Sequence, residues 1–100
     1  MRLLPLLLVL LLAACGGADE PTTVDIKSFK YAAATVTVKA GTPVTWINRE
    51  TAGHTATFEN GLDTDRLEKG DRAALTFEKP GRYPYVCAFH AFMKGEVVVE

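Results

Sequence analysis

Four side chains in this sequence offer the donor atoms of a metal site. Cys87, His90 and Met93 lie in the stretch "YVCAFHAFMKG", each three residues after the last, and His54 is the only other histidine. A thiolate, two imidazoles and a weak thioether form the ligand set of copper sites that transfer electrons. Both histidines belong to this set, as does the only methionine besides the first residue. The residues therefore predict a copper centre.

The same spacing also fits one face of a helix, on which Cys, His and Met side chains usually pack. The flanking sequence argues against a helix, because "GRYPY" precedes the stretch and the valine-rich "GEVVVE" follows it. Both flanks favour strands, so we expect the ligand stretch to be a loop between two strands. Taken singly, each of the four residues is more typical of packing or of the surface, and only their combination favours a metal.

The elements that must position these residues are short strands. From residue 24 onward the chain alternates turn sequences with β-type runs, which are "VDIKSF", "TVTVKA", "PVTWIN", "HTATFE", "RAALTFE", "GRYPYV" and "EVVVE". No segment has sustained helical periodicity, and seven short runs at this spacing predict an antiparallel sandwich. Residues 61–69 are the least strand-like, so we expect a surface loop or a single helical turn there and assign it no chemistry.

One polar residue lies on a strand face that should be buried. In "PVTWIN", the alternation places Val44, Trp46 and Asn48 on the same side of the predicted strand. A buried amide needs hydrogen-bond partners to offset its desolvation. Because Asn48 lies just ahead of His54, we expect its side chain to bond across to the Cys87 loop and to hold the two ligand segments together.

The first 14 residues resemble a secretory signal peptide. Arg2 precedes a leucine-rich run over residues 3–12, which is too short for a spanning helix of about 20 residues. The next letters, "LAAC", resemble the lipobox of bacterial lipoprotein precursors, so we expect cleavage before Cys15 and a lipid on its thiol. The alternative is an ordinary cleaved signal that happens to end in Cys. Residues 15–23 are then a lipidated Cys with a flexible tether, and residues 24–100 form the domain.

The numbers of cysteines and charged residues limit the possible functions further. Exported proteins normally pair their thiols, yet a lipid on Cys15 leaves Cys87 without a partner. Cys87 is then buried and inert, or reactive, or held by a metal, and a disulfide with Cys15 stays open only if Cys15 carries no lipid. Without Arg2, ten basic residues face twelve acidic ones, so we expect no basic surface for nucleic acid.

The ordered set of Asn48, His54, Cys87, His90 and Met93 resembles the cupredoxins, and within them the amicyanin and plastocyanin group of blue copper proteins. Tyr83 and Tyr85 before the Cys, and the valine-rich last strand, add to this resemblance. The resemblance implies an all-β, Greek-key β-sandwich of about seven to eight strands. It also implies one copper ion per chain, cycling between Cu(I) and Cu(II), with His54, Cys87, His90 and Met93 as ligands.

The chain departs from the amicyanin pattern at three positions. Phe89 and Ala91 flank His90 where prolines are typical, and Gly53 precedes His54 where a proline is often found. We expect Phe89, Ala91 and Phe92 to form an apolar docking patch around an exposed edge of His90. The preferred interpretation has Phe89 outward and Phe92 partly buried, and the alternative packs both under the loop.

These features favour a one-electron carrier in the bacterial cell envelope, a monomer held at the membrane by its lipid. Its partners would be redox proteins, namely a dehydrogenase, a cytochrome or an oxidase. The alternative is a copper-binding module for storage or delivery. An enzyme is disfavoured, because four protein ligands leave no open position for substrate and the chain has no further histidines for a catalytic copper.

Overall fold

The computed structural model describes residues 22–100, which fold into two four-stranded β-sheets around a shared core. The strands are β1 (Thr23–Lys27), β2 (Lys30–Ala32), β3 (Thr35–Val38), β4 (Pro43–Asn48), β5 (Thr57–Phe58), β6 (Arg72–Thr76), β7 (Gly81–Val86) and β8 (Lys94–Val99). Residues 22–100 contain no helix of a length and hydropathy that could span a membrane. The predicted signal peptide, Cys15 and nearly all of the tether lie outside the described residues.

The strand order confirms the predicted β-sandwich and corrects one detail of it. One sheet has the order β2-β1-β4-β6, and the other has the order β3-β8-β7-β5. Most neighbours are antiparallel as predicted, but β1 pairs with β4 and β3 pairs with β8 in parallel. Both parallel pairs join strands that are far apart in sequence, and no short hairpin fixes their relative direction. The prediction of antiparallel pairing is therefore wrong for these two pairs.

The core lies between the two sheets, with one hydrogen bond crossing it. Val44, Trp46 and Asn48 are fully buried, in agreement with the alternation expected for β4. The indole Nε1 of Trp46 donates to the Tyr85 hydroxyl across 3.1 Å, which joins β4 in one sheet to β7 in the other. A buried indole donor needs such an acceptor, and this contact links the two sheets through the core.

The run "HTATFE" forms less strand than its sequence predicts. Only Thr57 and Phe58 belong to β5, and His54 lies outside it, in an isolated bridge with Leu67. The backbone amide of His54 donates to the Leu67 carbonyl at 3.2 Å, and the Leu67 amide donates back at 2.8 Å. Residues 61–69 are thus a loop, as expected, but they hold the His54 segment in place.

Candidate metal centre

The three-residue spacing of Cys87, His90 and Met93 corresponds to a closed backbone loop. The His90 amide donates to the Cys87 carbonyl at 3.2 Å, and the Met93 amide donates to the His90 carbonyl at 2.9 Å. The Cys87 amide in turn donates to the Met93 carbonyl at 3.2 Å, and this bond lies between the end of β7 and the start of β8. Each of the three backbone units therefore bonds to the other two, and the segment is a loop rather than a helix, as the flanks predict.

Donor atoms from three residues converge on one point. The Cys87 Sγ atom lies 3.8 Å from Nδ1 of His54 and 3.6 Å from Nδ1 of His90. The candidate ligand atoms of these residues all lie within 4.8 Å of one another. His54 and Cys87 are buried, whereas His90 is partly exposed. One thiolate and two imidazole nitrogens at this separation fit a single soft metal ion, and the donor types are those that copper takes.

Met93 is buried and closes the ligand loop through its backbone. Sequence reasoning placed its thioether in the ligand set as a weak donor. Its position between the end of the loop and the start of β8 is compatible with that role. The burial also agrees with simple packing, so the ligand role of Met93 stays a prediction.

Glu50 fixes the orientation of the buried imidazole. Its Oε2 atom accepts a hydrogen bond from Nε2 of His54 at 2.6 Å, and it also accepts one from the Phe29 amide at 3.0 Å. Its Oε1 atom accepts a hydrogen bond from the Ser28 amide at 2.7 Å. A carboxylate can only accept, so the His54 proton lies on Nε2 and the Nδ1 lone pair faces Cys87.

The pKa of Glu50 reflects this position. Burial acts to raise the pKa of its carboxyl group, but the hydrogen bonds from the Phe29 amide, from His54 and from the Ser28 amide outweigh that effect. The net pKa of Glu50 lies below its ordinary value. The carboxylate is therefore ionised at neutral pH, as an acceptor for three donors must be.

The turn that reaches Glu50 also brings an aromatic ring to the site. Ser28 and Phe29 connect β1 to β2 as a two-residue hairpin turn, and both have positive φ values, 55° and 56°. Asn and Gly are the usual residues in such turns, so Ser and Phe are strained there. The Phe29 ring contacts both imidazoles edge-on, at 5.1 Å from His54 and 5.0 Å from His90 between ring centroids.

Asn48 is buried as predicted, but its hydrogen bonds go elsewhere. Its Nδ2 atom donates to the Ala52 and Leu67 carbonyls at 2.8 Å each, and its Oδ1 atom accepts from the Glu50 amide at 3.0 Å. Two of these bonds hold the segment that leads to His54, and the third goes to Leu67, whose backbone pairs with that of His54. The expected bridge to the Cys87 loop is instead made by Thr55, whose hydroxyl accepts from the Ala88 amide at 2.8 Å. Thr55 directly follows His54, and therefore lies nearer to that loop.

The aromatic side chains around His90 are more exposed than sequence reasoning predicts. Phe89 is 50% exposed, which agrees with its predicted outward position, but Phe92 is 70% exposed rather than partly buried. Ala91 is also exposed, and Phe29, which the sequence did not suggest, joins the group at 40%. Phe92 lies in the turn at residues 91–92, and the next residue, Met93, takes the buried position.

One cation lies at the edge of these aromatics. The guanidinium carbon of Arg66 is 5.0 Å from the centre of the Phe89 ring, and its Nε atom pairs with a Glu68 carboxylate oxygen at 2.6 Å. The same guanidinium lies against Gly53, where an added Cβ would come within 2.6 to 2.9 Å of it. The absence of a side chain at residue 53 thus makes room for Arg66 beside the His54 segment.

Sequence reasoning missed Glu50, Thr55 and Phe29. Glu50 carries a signal in retrospect, since an acidic residue four positions before a buried histidine is able to reach its second nitrogen. Thr55 lies next to a ligand residue but has no distinguishing pattern. Phe29 was assigned to a strand, because a two-residue turn of Ser and Phe lacks the glycine that normally marks one.

Known proteins share both the sequence and the fold. Residues 2–99 match the family model described as a cupredoxin-like domain. An amicyanin of Paracoccus denitrificans is 42% identical over 94 residues, covering 88% of this chain and 72% of that protein. A chloroplastic plastocyanin of Tetradesmus obliquus is 30% identical over 101 residues, covering 87% of this chain and 70% of that protein.

Solved structures give the same result. A variant of amicyanin in its reduced Cu(I) form at pH 4 superimposes with a TM-score of 0.76 at 42% identity, covering 84% of this chain and 86% of that chain. An oxidised amicyanin variant superimposes with a TM-score of 0.77 at 40% identity, with the same coverage. The two sheets described above thus follow the architecture of these solved proteins.

Proposed function

We propose, because the chain belongs to the cupredoxin family, that it is a one-electron carrier with one copper ion as its cofactor. The observation that carries this function is the convergence of the Cys87 thiolate with Nδ1 of His54 and Nδ1 of His90. Copper held by these donors supplies one-electron chemistry by alternating between Cu(II) and Cu(I). Met93 would add its thioether as a weak fourth donor.

The surroundings of the donors favour a carrier over a storage or delivery module. His54 is completely buried, Glu50 holds its side chain, and Leu67 pairs with its backbone. The Cys87 loop is closed by its own amides. Fast electron transfer needs a site that changes little between the two copper states, and such preorganised ligands provide it. A delivery protein needs ligands that release metal readily, and the buried His54 and Cys87 are poorly placed for release.

The copper site is tested by its visible spectrum. With Cu(II) bound, we expect intense blue absorption from charge transfer between the Cys87 thiolate and the metal. Cys87→Ser should abolish this band while far-ultraviolet circular dichroism stays that of the native sandwich. Cys15→Ala is the matched control, since it removes the other thiol and should leave the band intact. A colourless Cu(II) form of the native protein would overturn the proposed function.

We propose that electrons enter and leave at the partly exposed His90, through a docking patch formed by Phe89, Ala91 and Phe92. Phe29 extends this patch, because its ring contacts the His90 and Phe92 rings at 5.0 and 6.3 Å. The partner would be a redox protein such as a dehydrogenase, cytochrome or oxidase. Carriers release their partners after each transfer, which suits a small apolar surface.

Electron self-exchange between copies of the protein tests this patch without knowledge of the partner. Phe89→Glu places a carboxylate on each patch, so two molecules repel and the exchange rate measured by NMR should fall severalfold. Ala74→Glu, on the exposed side of β6, is the matched control and should leave the rate nearly unchanged. An unchanged rate in Phe89→Glu, with its blue band intact, would show that electrons leave elsewhere.

We also propose export to the cell envelope with a lipid on Cys15. The support is the sequence alone, namely the leucine-rich leader and the "LAAC" motif. A diacylglycerol supplies two chains and therefore stable anchoring. The native protein should fractionate with membranes in a globomycin-sensitive manner, and Cys15→Ala should release it. A native protein found wholly in the soluble fraction would exclude the anchor.

A further inference from the structure

A series of hydrogen bonds leads from a surface carboxylate to the Cys87 loop. The Ala88 amide donates to the Thr55 hydroxyl at 2.8 Å, and that hydroxyl lies 2.8 Å from the hydroxyl of Thr57. The Thr57 hydroxyl donates to Oδ2 of Asp63 at 3.1 Å. Ala88, at one end of the series, follows Cys87 directly. Asp63, at the other end, lies in the loop over residues 61–69.

The donors in this series all point the same way. A hydroxyl has one proton, and Thr57 gives its proton to the carboxylate, so the proton between the two threonines must come from Thr55. Thr55 can then accept from the Ala88 amide with its lone pair. The order is therefore amide, hydroxyl, hydroxyl, carboxylate, and bonds aligned in this way polarise one another.

Two members of this series of hydrogen bonds, which we call the relay, are held by further contacts. Thr55 is 4% exposed, and its carbonyl oxygen accepts a hydrogen bond from the Tyr31 hydroxyl at 2.6 Å. Oδ1 of Asp63 accepts from the Asp65 amide at 2.7 Å, and the backbones of Asp63 and Thr57 form an isolated bridge. Neither the hydroxyl groups nor the carboxylate can turn away without breaking a second contact.

We propose that Asp63 is a positioning residue of the copper centre, acting through Thr57 and Thr55 on the backbone amide that follows Cys87. The proposal rests on the proposed function, since it concerns the balance between Cu(II) and Cu(I). The carboxylate end of the relay adds negative character on the Cys87 side of the site, which favours the more positive Cu(II) state. The relay also fixes the peptide unit between Cys87 and Ala88, and with it the direction of the thiolate.

The first test uses the metal-free protein and the proton chemical shift of the Ala88 amide. Asp63→Asn replaces the carboxylate at the end of the relay by a neutral amide, and Thr57→Val ends the relay before residue 63, so the Ala88 amide proton should shift upfield in both variants. Thr57→Ser keeps a hydroxyl and should retain the native shift. Asp65→Asn is the matched control, because it removes the same charge two positions away and its side chain lies outside the relay. An Ala88 shift that is unchanged in both Asp63→Asn and Thr57→Val would overturn the proposal.

The second test measures the copper redox equilibrium against a reference couple. Asp63→Asn should move this equilibrium toward Cu(I) by about twofold to tenfold, the range of one hydrogen bond. In a Thr57→Val background the same substitution should have almost no further effect. An equal effect in both backgrounds would mean that Asp63 acts only through space, and would overturn the relay. Failure to bind copper would instead refute the proposed function, and the Ala88 shift would still decide the relay.

Discussion

At the scale of single residues, Glu50 contributes most to the site without touching the converged donor atoms. Its two oxygens accept three hydrogen bonds, from His54 Nε2, the Phe29 amide and the Ser28 amide. The same carboxylate therefore selects the His54 tautomer and stabilises a strained turn. That turn places the Phe29 ring against both imidazoles. One acidic side chain thus connects the buried ligand to the exposed aromatic surface.

We expect Glu50→Gln to weaken copper binding by about tenfold to a hundredfold, the range for losing an outer partner of a metal-bound histidine. A Gln side chain has one acceptor and one donor group, so it cannot accept from all three donors at once. Competition against a copper chelator measures the change. Glu59→Gln is the control, since Glu59 is exposed and carries the same charge. Equal affinities in the two variants would contradict the role assigned to Glu50.

At the scale of elements, the loops that carry the ligands were easier to predict than the contacts between them. The Cys87 loop was located correctly because Gly, Pro and valine patterns mark its flanking strands. The hydrogen-bond partners of Asn48 were not predicted correctly. A buried amide requires hydrogen bonds, but the sequence does not show which groups supply them. The parallel pairs were missed for a similar reason, since alternation along β1 or β3 does not specify the direction of a distant neighbour.

Two glycines offer a contrast between loops and strands. The atoms nearest to an added Cβ at Gly53 belong to the end of the Arg66 side chain, which is half exposed and able to move. An added Cβ at Gly95 in β8 would overlap the ring and the hydroxyl of Tyr85. Tyr85 is 3% exposed and is held by the Trp46 indole, so its ring cannot move aside without disturbing the core.

We therefore expect Gly95→Ala to lower the free energy of unfolding by about 1 to 3 kcal/mol, as overpacking does. Gly53→Ala should cost less than about 1 kcal/mol, the value of the exposed contact between Arg66 and Phe89. Urea unfolding of both variants measures the difference. Adding Arg66→Ala should remove most of the cost of Gly53→Ala, because the overlapping group is then gone. A larger loss in Gly53→Ala than in Gly95→Ala would contradict this account.

At the scale of the whole molecule, one aromatic cluster joins the two sheets behind the metal centre. Tyr85 contacts the rings of Tyr31, Trp46 and Phe58, with centroids 4.7, 5.4 and 4.9 Å away. Of these residues, the sequence predicted burial only for Trp46, from the alternation along β4. It did not predict their mutual contacts, because those depend on how the two twisted sheets stack. The rigidity that an electron carrier needs thus comes from packing as well as from the ligand loop.

The tyrosines of this cluster make the stability of the fold sensitive to pH in the alkaline range. Burial raises the pKa of Tyr85 from its ordinary value of 10.0 to about 12, although the bond from Trp46 acts in the opposite direction. Burial also raises the pKa of Tyr31, helped by Cys87 and Tyr85. In the unfolded chain Tyr85 loses its proton near pH 10, whereas in the fold it keeps it. The stability that the protonated Tyr85 hydroxyl contributes to the fold is therefore complete below pH 10 and is lost as the pH rises toward 12.

We expect this tyrosine to account for about 2 to 3 kcal/mol of the stability lost over that interval, from a pKa difference of about two units. Urea unfolding at a series of pH values from 8 to 12 measures the loss. Tyr85→Phe should lower stability at neutral pH, because the Trp46 indole loses its acceptor, but its stability should then fall less steeply above pH 10. The control is Tyr83→Phe, because the Tyr83 hydroxyl donates to the Lys79 carbonyl at the surface. This variant should keep the native dependence of stability on pH. If Tyr85→Phe and the native protein lose stability in parallel up to pH 12, the buried hydroxyl does not govern the alkaline limit of the fold.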